Sequence, residues 1–126
     1  MQSILAVALG GALGSVLRFL LNNGITALTK TSFPVGIMVI NVLGSLAMGV
    51  LIALFAEQGQ ASQNMRTFLM VGVLGGFTTF STFSADSVLL WQRGEAVQAV
   101  AYAGGSVILS VAALLAGIML VKGLGA

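Results

Sequence analysis

A run of glycine, hydroxyl and phenyl side chains lies in the middle of an apolar segment of this chain. The run extends from Gly72 to Ser84, reads GVLGGFTTFSTFS, and contains no charged residue. Glycine pairs and clustered hydroxyl groups weaken a regular helix. Non-helical backbone at membrane depth is tolerated only where it is buried in protein or lines a water-filled cavity. The run therefore predicts a helix break that forms an ion or solute site.

Two phenylalanines of this run, Phe80 and Phe83, share one face if the local structure is helical. The edge of a phenyl ring is positive, so ring edges can face an anion without holding it as a fixed cation would. Phenylalanines at this spacing are usually core residues, but Thr79 and the other hydroxyl residues beside them favour an ion path. Asp86, further along the chain, either accepts hydrogen bonds from hydroxyl groups or lies at the solvent-exposed end of that path.

Arg18 and Asn41 are polar residues in the apolar segments that precede this run, and both could contact an anion. Gly10, Gly14 and Arg18 are four residues apart and share a helix face. Arg18 either snorkels to the interface or forms a cationic vestibule that attracts anions, since arginine in hydrocarbon must be solvated or paired. Asn41 either joins two helices or donates its two N–H groups to an anion.

A stripe of hydroxyl groups follows in the last apolar segment. Tyr102, Ser106 and Ser110 are four residues apart and share a helix face. Such a stripe either holds helices together or supplies donors that replace the hydration shell of a moving anion. The residues alone leave both interpretations open.

The composition is that of an integral membrane protein. Of 126 residues, 58% are hydrophobic and 6% are charged, and the mean hydropathy is +1.09, whereas soluble domains carry about 25% charged residues. Four apolar segments, 2–28, 33–56, 67–92 and 96–121, each reach the roughly 20 residues that a spanning helix needs. The sequence therefore predicts one all-α domain with four transmembrane helices, the third broken near its middle.

Several classes of function are excluded by residue types that the chain lacks. It contains no Cys and no His, so thiolate sites and histidine bases are absent. A net charge of +2 is too small for a nucleic-acid surface. Gly72, Gly75 and Gly76 are not followed by the Lys-Ser/Thr pair of a phosphate loop. With no carboxylate pair or activated nucleophile either, we expect no enzyme.

The charges at the ends of the segments give no preferred orientation. Arg66 and Lys122 fall on the side of the chain termini, and Lys30 and Arg93 fall on the other side. The positive-inside rule needs a difference between the two sides to choose an orientation. One hypothesis is insertion in both orientations with antiparallel pairing, and the alternative is a single orientation set by weaker signals.

Several motifs together resemble the Fluc/CrcB family of small fluoride channels. Gly75 to Ser84, GGFTTFSTFS, resembles the family's third-helix signature. Gly10-Gly11-x-x-Gly14-x-x-x-Arg18 is similar to its first-helix motif, and Pro34-x-Gly36 with Asn41-x-x-Gly44 to its second. Asp86 stands where the family more often has Glu. The last segment is matched only by position and residue type.

The resemblance implies a function and an assembly. It implies passive export of fluoride through the inner membrane of a microbial cell by a multi-pass protein. It also implies an antiparallel, dual-topology homodimer in the lipid bilayer, with two pores lined by both subunits. A structural sodium ion is implied at the centre of the dimer.

The resemblance also assigns roles to individual residues. It implies that the pore and fluoride-binding residues are Phe80, Phe83, Asn41, Ser106 and Ser110, and Thr79 and Tyr102 extend this predicted lining. Arg18 would be the vestibule cation. The backbone carbonyls of Gly75 and Thr78 would hold the sodium ion.

Two other classes of function remain as alternatives. A small four-helix proton-coupled exporter of organic cations needs a membrane carboxylate that faces its substrate, and Asp86 is the only candidate. A non-transporting assembly subunit would leave the hydroxyl stripes unexplained.

Overall fold

Four helical spans, each long and apolar enough to cross a membrane, form the described part of the chain in the computed structural model. The structure describes residues 2–58 and 63–123. Helix α1 comprises Gln2–Thr29, α2 comprises Val35–Gln58, and the last helix, α5, comprises Ala96–Gly123. The third span consists of two helices, α3 and α4. The predicted all-α membrane fold is confirmed.

The third span is bent, as predicted, and its two halves differ in helix type. Helix α3 is a continuous succession of an α-helical turn, a π-helical stretch and a final α-helical turn, with the bounds Gln63–Arg66, Thr67–Leu74 and Gly75–Phe77. Helix α4 comprises Phe80–Gln92. π-Helical stretches are rare and occur frequently at functional sites. This one leads directly to the break between α3 and α4.

The position of the break corrects one expectation from the sequence. The glycine pair was predicted to unwind, but Gly75 and Gly76 are helical. Gly76 is needed for packing, because a Cβ atom there would lie 2.7 Å from the carbonyl oxygen of Gly11. The extended residues are instead Thr78, with φ −83° and ψ 159°, and Thr79, with φ −151° and ψ 122°.

Glycines let two pairs of helices approach closely. Helix α1 packs on α3, where a Cβ atom at Gly10 or Gly14 would meet backbone atoms of the other helix. Helix α2 packs on α5 in the same way through Gly49 and Gly117. Small residues at such crossings allow the backbone contacts that stabilise helices in membranes. The break lies between these two close-packed pairs.

A small apolar core fixes α4 against α2 and α5. Its buried members are Ile37, Ile40, Leu90, Ala99 and Tyr102, and Phe33, Met38, Phe77 and Phe83 pack around them. Most other large apolar side chains face outward: Phe19 is 65% exposed and Ile108 is 69% exposed. An apolar outer surface is stable in a bilayer and not in water, so the chain is a multi-pass membrane protein.

The close contact between α1 and α3 predicts that Gly14→Ala destabilises the fold. A Cβ atom at Gly14 would collide with the Val73 carbonyl oxygen and lie 2.9 Å from the Phe77 nitrogen, and backbone atoms cannot move aside cheaply. We expect a loss of about 1–3 kcal/mol in the free energy of unfolding, measured by thermal unfolding in detergent. The control is Gly24→Ala in the same helix, where a Cβ atom meets nothing within 4 Å. Equal melting temperatures for the two variants would contradict the packing.

Candidate functional site

The break in the third span is paired with α2 through one side chain. The backbone N–H of Thr79 donates to Asn41 Oδ1 at 2.9 Å, and Asn41 Nδ2 donates to the Thr79 carbonyl oxygen at 3.1 Å. The Asn41 amide therefore pairs with extended backbone as a neighbouring strand would. Thr79 is only 8% exposed, so this pairing satisfies polar groups that would otherwise be buried without partners.

Thr79 also caps the second half of the span. Its Oγ1 accepts the backbone N–H of Thr82 at 3.2 Å, which is the hydrogen bond expected of an N-cap threonine. Its hydroxyl hydrogen is donated to Thr82 Oγ1, also at 3.2 Å. On the other side of the break, Thr78 Oγ1 donates back to the Leu74 carbonyl oxygen at 2.9 Å. The threonine hydroxyls of the break thus hold two helix ends.

Because of these bonds, two backbone N–H groups do not donate to the carbonyl groups that they would bond in a continuous helix. The carbonyl of Gly75 would accept from the N–H of Thr79, but that N–H binds Asn41. The carbonyl of Thr78 would accept from the N–H of Thr82, but that N–H binds Thr79 Oγ1. Uncharged oxygen ligands of this kind suit a hard cation. The chemistry of the break therefore fits the predicted sodium ligands.

A cavity of about 320 Å³ lies beside the break, between α2, α4 and α5. Its polar side chains include Asn41 and Ser45 from α2 and Ser106 and Ser110 from α5. Its other lining residues are Thr78, Thr79, Phe80, Phe83, Val107 and Val111. No carboxylate is among the lining residues. The cavity therefore offers hydroxyl and amide donors and apolar surface, which suits an uncharged or anionic solute.

One donor in this cavity has no partner. Ser106 is 4% exposed, and its Oγ is buried without a hydrogen bond in the described part of the chain. A buried hydroxyl without a partner is unfavourable by about 1–3 kcal/mol. Unpaired buried groups of this kind are uncommon in native structures. Ser106 Oγ is therefore available to a bound solute.

The two phenylalanines predicted to line a path have different surroundings. Their ring centroids are 5.6 Å apart, with an interplanar angle of 46°. Phe83 packs on Tyr102, with centroids 5.3 Å apart. Phe80 is 76% exposed and extends away from its own chain. Both rings line the cavity, but only Phe83 is held by neighbours within the chain.

Two predicted site residues lie away from this cavity. Tyr102 is fully buried, and its hydroxyl donates to Asp86 Oδ2 at 3.2 Å. Arg18 is partly buried on α1, and α1 contributes no lining residue. The structure thus brings Asn41, Ser106 and Ser110 together but leaves Tyr102 and Arg18 outside, and their roles remain predictions.

The lining residues Ser45, Val107 and Val111 were not predicted as site residues. Ser45 lies one helical turn after Asn41 and so shares its face. Helical spacing was thus a signal that could have identified it. The two valines carry no chemical signal, because apolar residues occur on every face of α5.

Comparisons with known proteins give consistent results over almost the whole chain. Residues 5–118 match the model of the family described as "CrcB-like protein, Camphor Resistance (CrcB)". A protein of Cereibacter sphaeroides named "Fluoride-specific ion channel FluC" is 52% identical over 122 residues, which is 97% of this chain and 96% of that protein. Proteins with the same name from Nitrobacter winogradskyi and Paracoccus denitrificans are 53% and 49% identical, over 94% and 98% of this chain and 94% and 97% of their own lengths.

The unpaired hydroxyl predicts that Ser106→Ala does not destabilise the protein. Removal of a buried donor without a partner relieves its desolvation cost, so we expect the free energy of unfolding to stay constant or rise by about 1 kcal/mol. The matched control is Tyr102→Phe in the same helix. This change breaks the hydrogen bond to Asp86 and should lower the free energy of unfolding by about 1–2 kcal/mol. Thermal unfolding in detergent measures both. A clear loss of stability in Ser106→Ala would mean that this hydroxyl has a protein partner.

Proposed function

The chain belongs to the CrcB-like family, and on that premise we propose that it is a fluoride-selective channel through which fluoride leaves the cytoplasm passively. Its relatives at about half identity are named fluoride-specific ion channels. The inner membrane of a bacterial cell is the proposed location. The channel would lower the concentration of a toxic anion without an energy source.

The observation that carries this proposal is the buried, unpaired hydroxyl of Ser106 in a cavity that lacks a carboxylate. Fluoride is small and strongly hydrated, so a path through a membrane must replace its water with other donors. Ser106, Ser110 and the Asn41 hydrogen not used by Thr79 supply such donors. The ring edges of Phe80 and Phe83 add weak positive potential without a fixed charge.

The surroundings of Asp86 argue against the exporter of organic cations. Such an exporter needs a carboxylate that faces its substrate within the membrane. Asp86 instead accepts the hydroxyl of Tyr102 and is absent from the cavity lining. A purely structural assembly subunit is also disfavoured, because it has no use for an unpaired donor inside a cavity.

We further propose that two copies of the chain assemble in opposite orientations. The cavity is open along one side, where Phe80, Val107 and Val111 are 76%, 53% and 58% exposed. A second copy would close this side and make two pores, each lined by both chains. The nearly equal charge at the two ends of the helices is compatible with insertion in both directions.

A sodium ion at the centre of this dimer is part of the proposal. The carbonyls of Gly75 and Thr78 from both chains would hold it. The positive charge of the ion would attract these carbonyl oxygens and so link the breaks of the two chains. The support is the pair of redirected N–H donors at Thr79 and Thr82. Arg18 is proposed as the vestibule cation, which would raise the local anion concentration.

The test of the proposed function is efflux from liposomes that contain only this protein. Fluoride should leave down its electrochemical gradient, and chloride loaded into identical liposomes should stay inside. A cationic dye provides the control for the exporter. Equal fluxes of fluoride and chloride, or efflux of the dye alone, would overturn the proposal. Absence of any flux would favour an assembly subunit.

The exposure of the two rings predicts distinct effects of Phe80→Ile and Phe83→Ile. Both changes keep an apolar side chain of similar size and remove the ring edge, so we expect each to reduce fluoride efflux at least about tenfold, equivalent to about 1.4 kcal/mol. Because Phe83 packs on Tyr102 and Phe80 packs little within its own chain, Phe83→Ile should lower the melting temperature of the purified protein more than Phe80→Ile does. Normal efflux in both variants would assign the rings to packing.

Balanced charge predicts that a few added lysines fix the orientation. Lysines appended at the C-terminus should place that end in the cytoplasm and reduce efflux, since antiparallel pairs no longer form. The control copy carries the same number of lysines beside Lys30 and should insert in the opposite direction. Co-expression of the two copies should restore efflux. A C-terminal reporter found on one side only in the unmodified protein would contradict dual topology.

A further inference from the structure

The geometry of the break points to Asn41 and Thr79 as positioning residues that create the cation site. We propose that their side chains keep the carbonyls of Gly75 and Thr78 unpaired, in addition to any contact they make with an anion. The inference rests on the proposed sodium site. It assigns the two side chains a role toward the cation as well as toward the cavity that they line.

No feature of the local backbone keeps the third span open. Thr78 and Thr79 have negative φ values that a threonine also adopts in ordinary extended chain. The adjacent glycine pair is helical. Nothing in the local conformation prevents these residues from continuing the helix. The cause of the break therefore lies in side-chain contacts, which come from Asn41 on α2 and from Thr79 itself.

Asn41 supplies the first of these contacts. Its amide both accepts from the N–H of Thr79 and donates to the carbonyl of Thr79. A continuous helix would need the same N–H for the carbonyl of Gly75. Without Asn41, the N–H of Thr79 has only that carbonyl or water as a partner. Because water is scarce at this depth, the helix would close over the carbonyl of Gly75.

The side chain of Thr79 also redirects a backbone N–H, one helical turn later in the chain. Its Oγ1 takes the N–H of Thr82, which would otherwise bond the carbonyl of Thr78. Gly44 makes room for this arrangement, because a Cβ atom there would collide with the methyl group of Thr78. The two side chains therefore withdraw donors from two carbonyls on one turn. Those carbonyls are the ones proposed to hold the cation.

The experiment measures sodium dependence separately from fluoride flux. The purified full-length protein is titrated with sodium chloride against N-methylglucamine chloride at constant ionic strength. The readout is the melting temperature, which rises as a cation binds the folded assembly. The same variants are then tested for fluoride efflux from liposomes.

The variants separate a positioning role from a pore role. Asn41→Ala and Thr79→Val should each raise the sodium concentration for half-maximal stabilisation by about tenfold, as loss of one or two hydrogen bonds would. Thr79→Ser keeps the Oγ atom and should retain the curve of the unmodified protein. Ser110→Ala, a cavity residue with no bond to the break, should slow efflux and leave the sodium curve unchanged. If Asn41→Ala does not assemble, Asn41→Ser, with one hydroxyl, should give a smaller shift in the same direction.

Two results would overturn the inference. One is a wild-type sodium curve in Asn41→Ala and Thr79→Val despite slower efflux, which would make both residues simple pore ligands. The other is an unmodified protein whose stability does not depend on sodium. Failure of the proposed function is a separate result, because an unmodified protein without fluoride efflux could still show the sodium curve and its shifts.

Discussion

The structure depends on the rule that a backbone polar group inside a membrane must have a partner within the protein. A continuous helix satisfies this rule by itself, and α1, α2 and α5 do so. The third span interrupts its ladder at Thr78 and Thr79, and the side chain of Asn41 supplies the missing partners. One amide thus makes an irregular segment tolerable at this depth. Three features follow from that interruption. They are the cavity, the exposed ring of Phe80 and the two carbonyls that lose their helical N–H donors.

The rest of the fold holds Asn41 and Thr79 in the relative position that their two hydrogen bonds need. Hydrogen bonds of about 3 Å tolerate little displacement between α2 and the break. The glycine contacts fix α3 against α1, and the core around Tyr102 fixes α4 against α2 and α5. The first half of the third span is therefore held mainly by α1 and the second half mainly by α5, while α2 contacts both halves. A substitution in either set of contacts would shift the break as effectively as a substitution in the break itself.

The sequence predicted the parts of this arrangement that have a local signature. Apolar length predicted the four spans, and residues three or four apart predicted that Phe80 and Phe83, and likewise Ser106 and Ser110, share a helix face. The exact residues of the break could not be predicted, because they depend on a partner 38 positions away. The π-helical stretch Thr67–Leu74 has no polar residue after Thr67 and carries no periodic pattern. Tyr102 follows the spacing of the serine stripe, yet its length carries its hydroxyl to Asp86.

The open side of the cavity has a consequence for the biosynthesis of the protein. A newly inserted chain presents Ser110, Phe80 and the two cavity valines along an unclosed groove, so acyl chains of lipids can occupy it. A groove filled by lipid does not leak ions. In the proposed dimer, permeability would begin only when a second copy displaces the lipid, so the rate at which two chains meet in the membrane would set when transport starts.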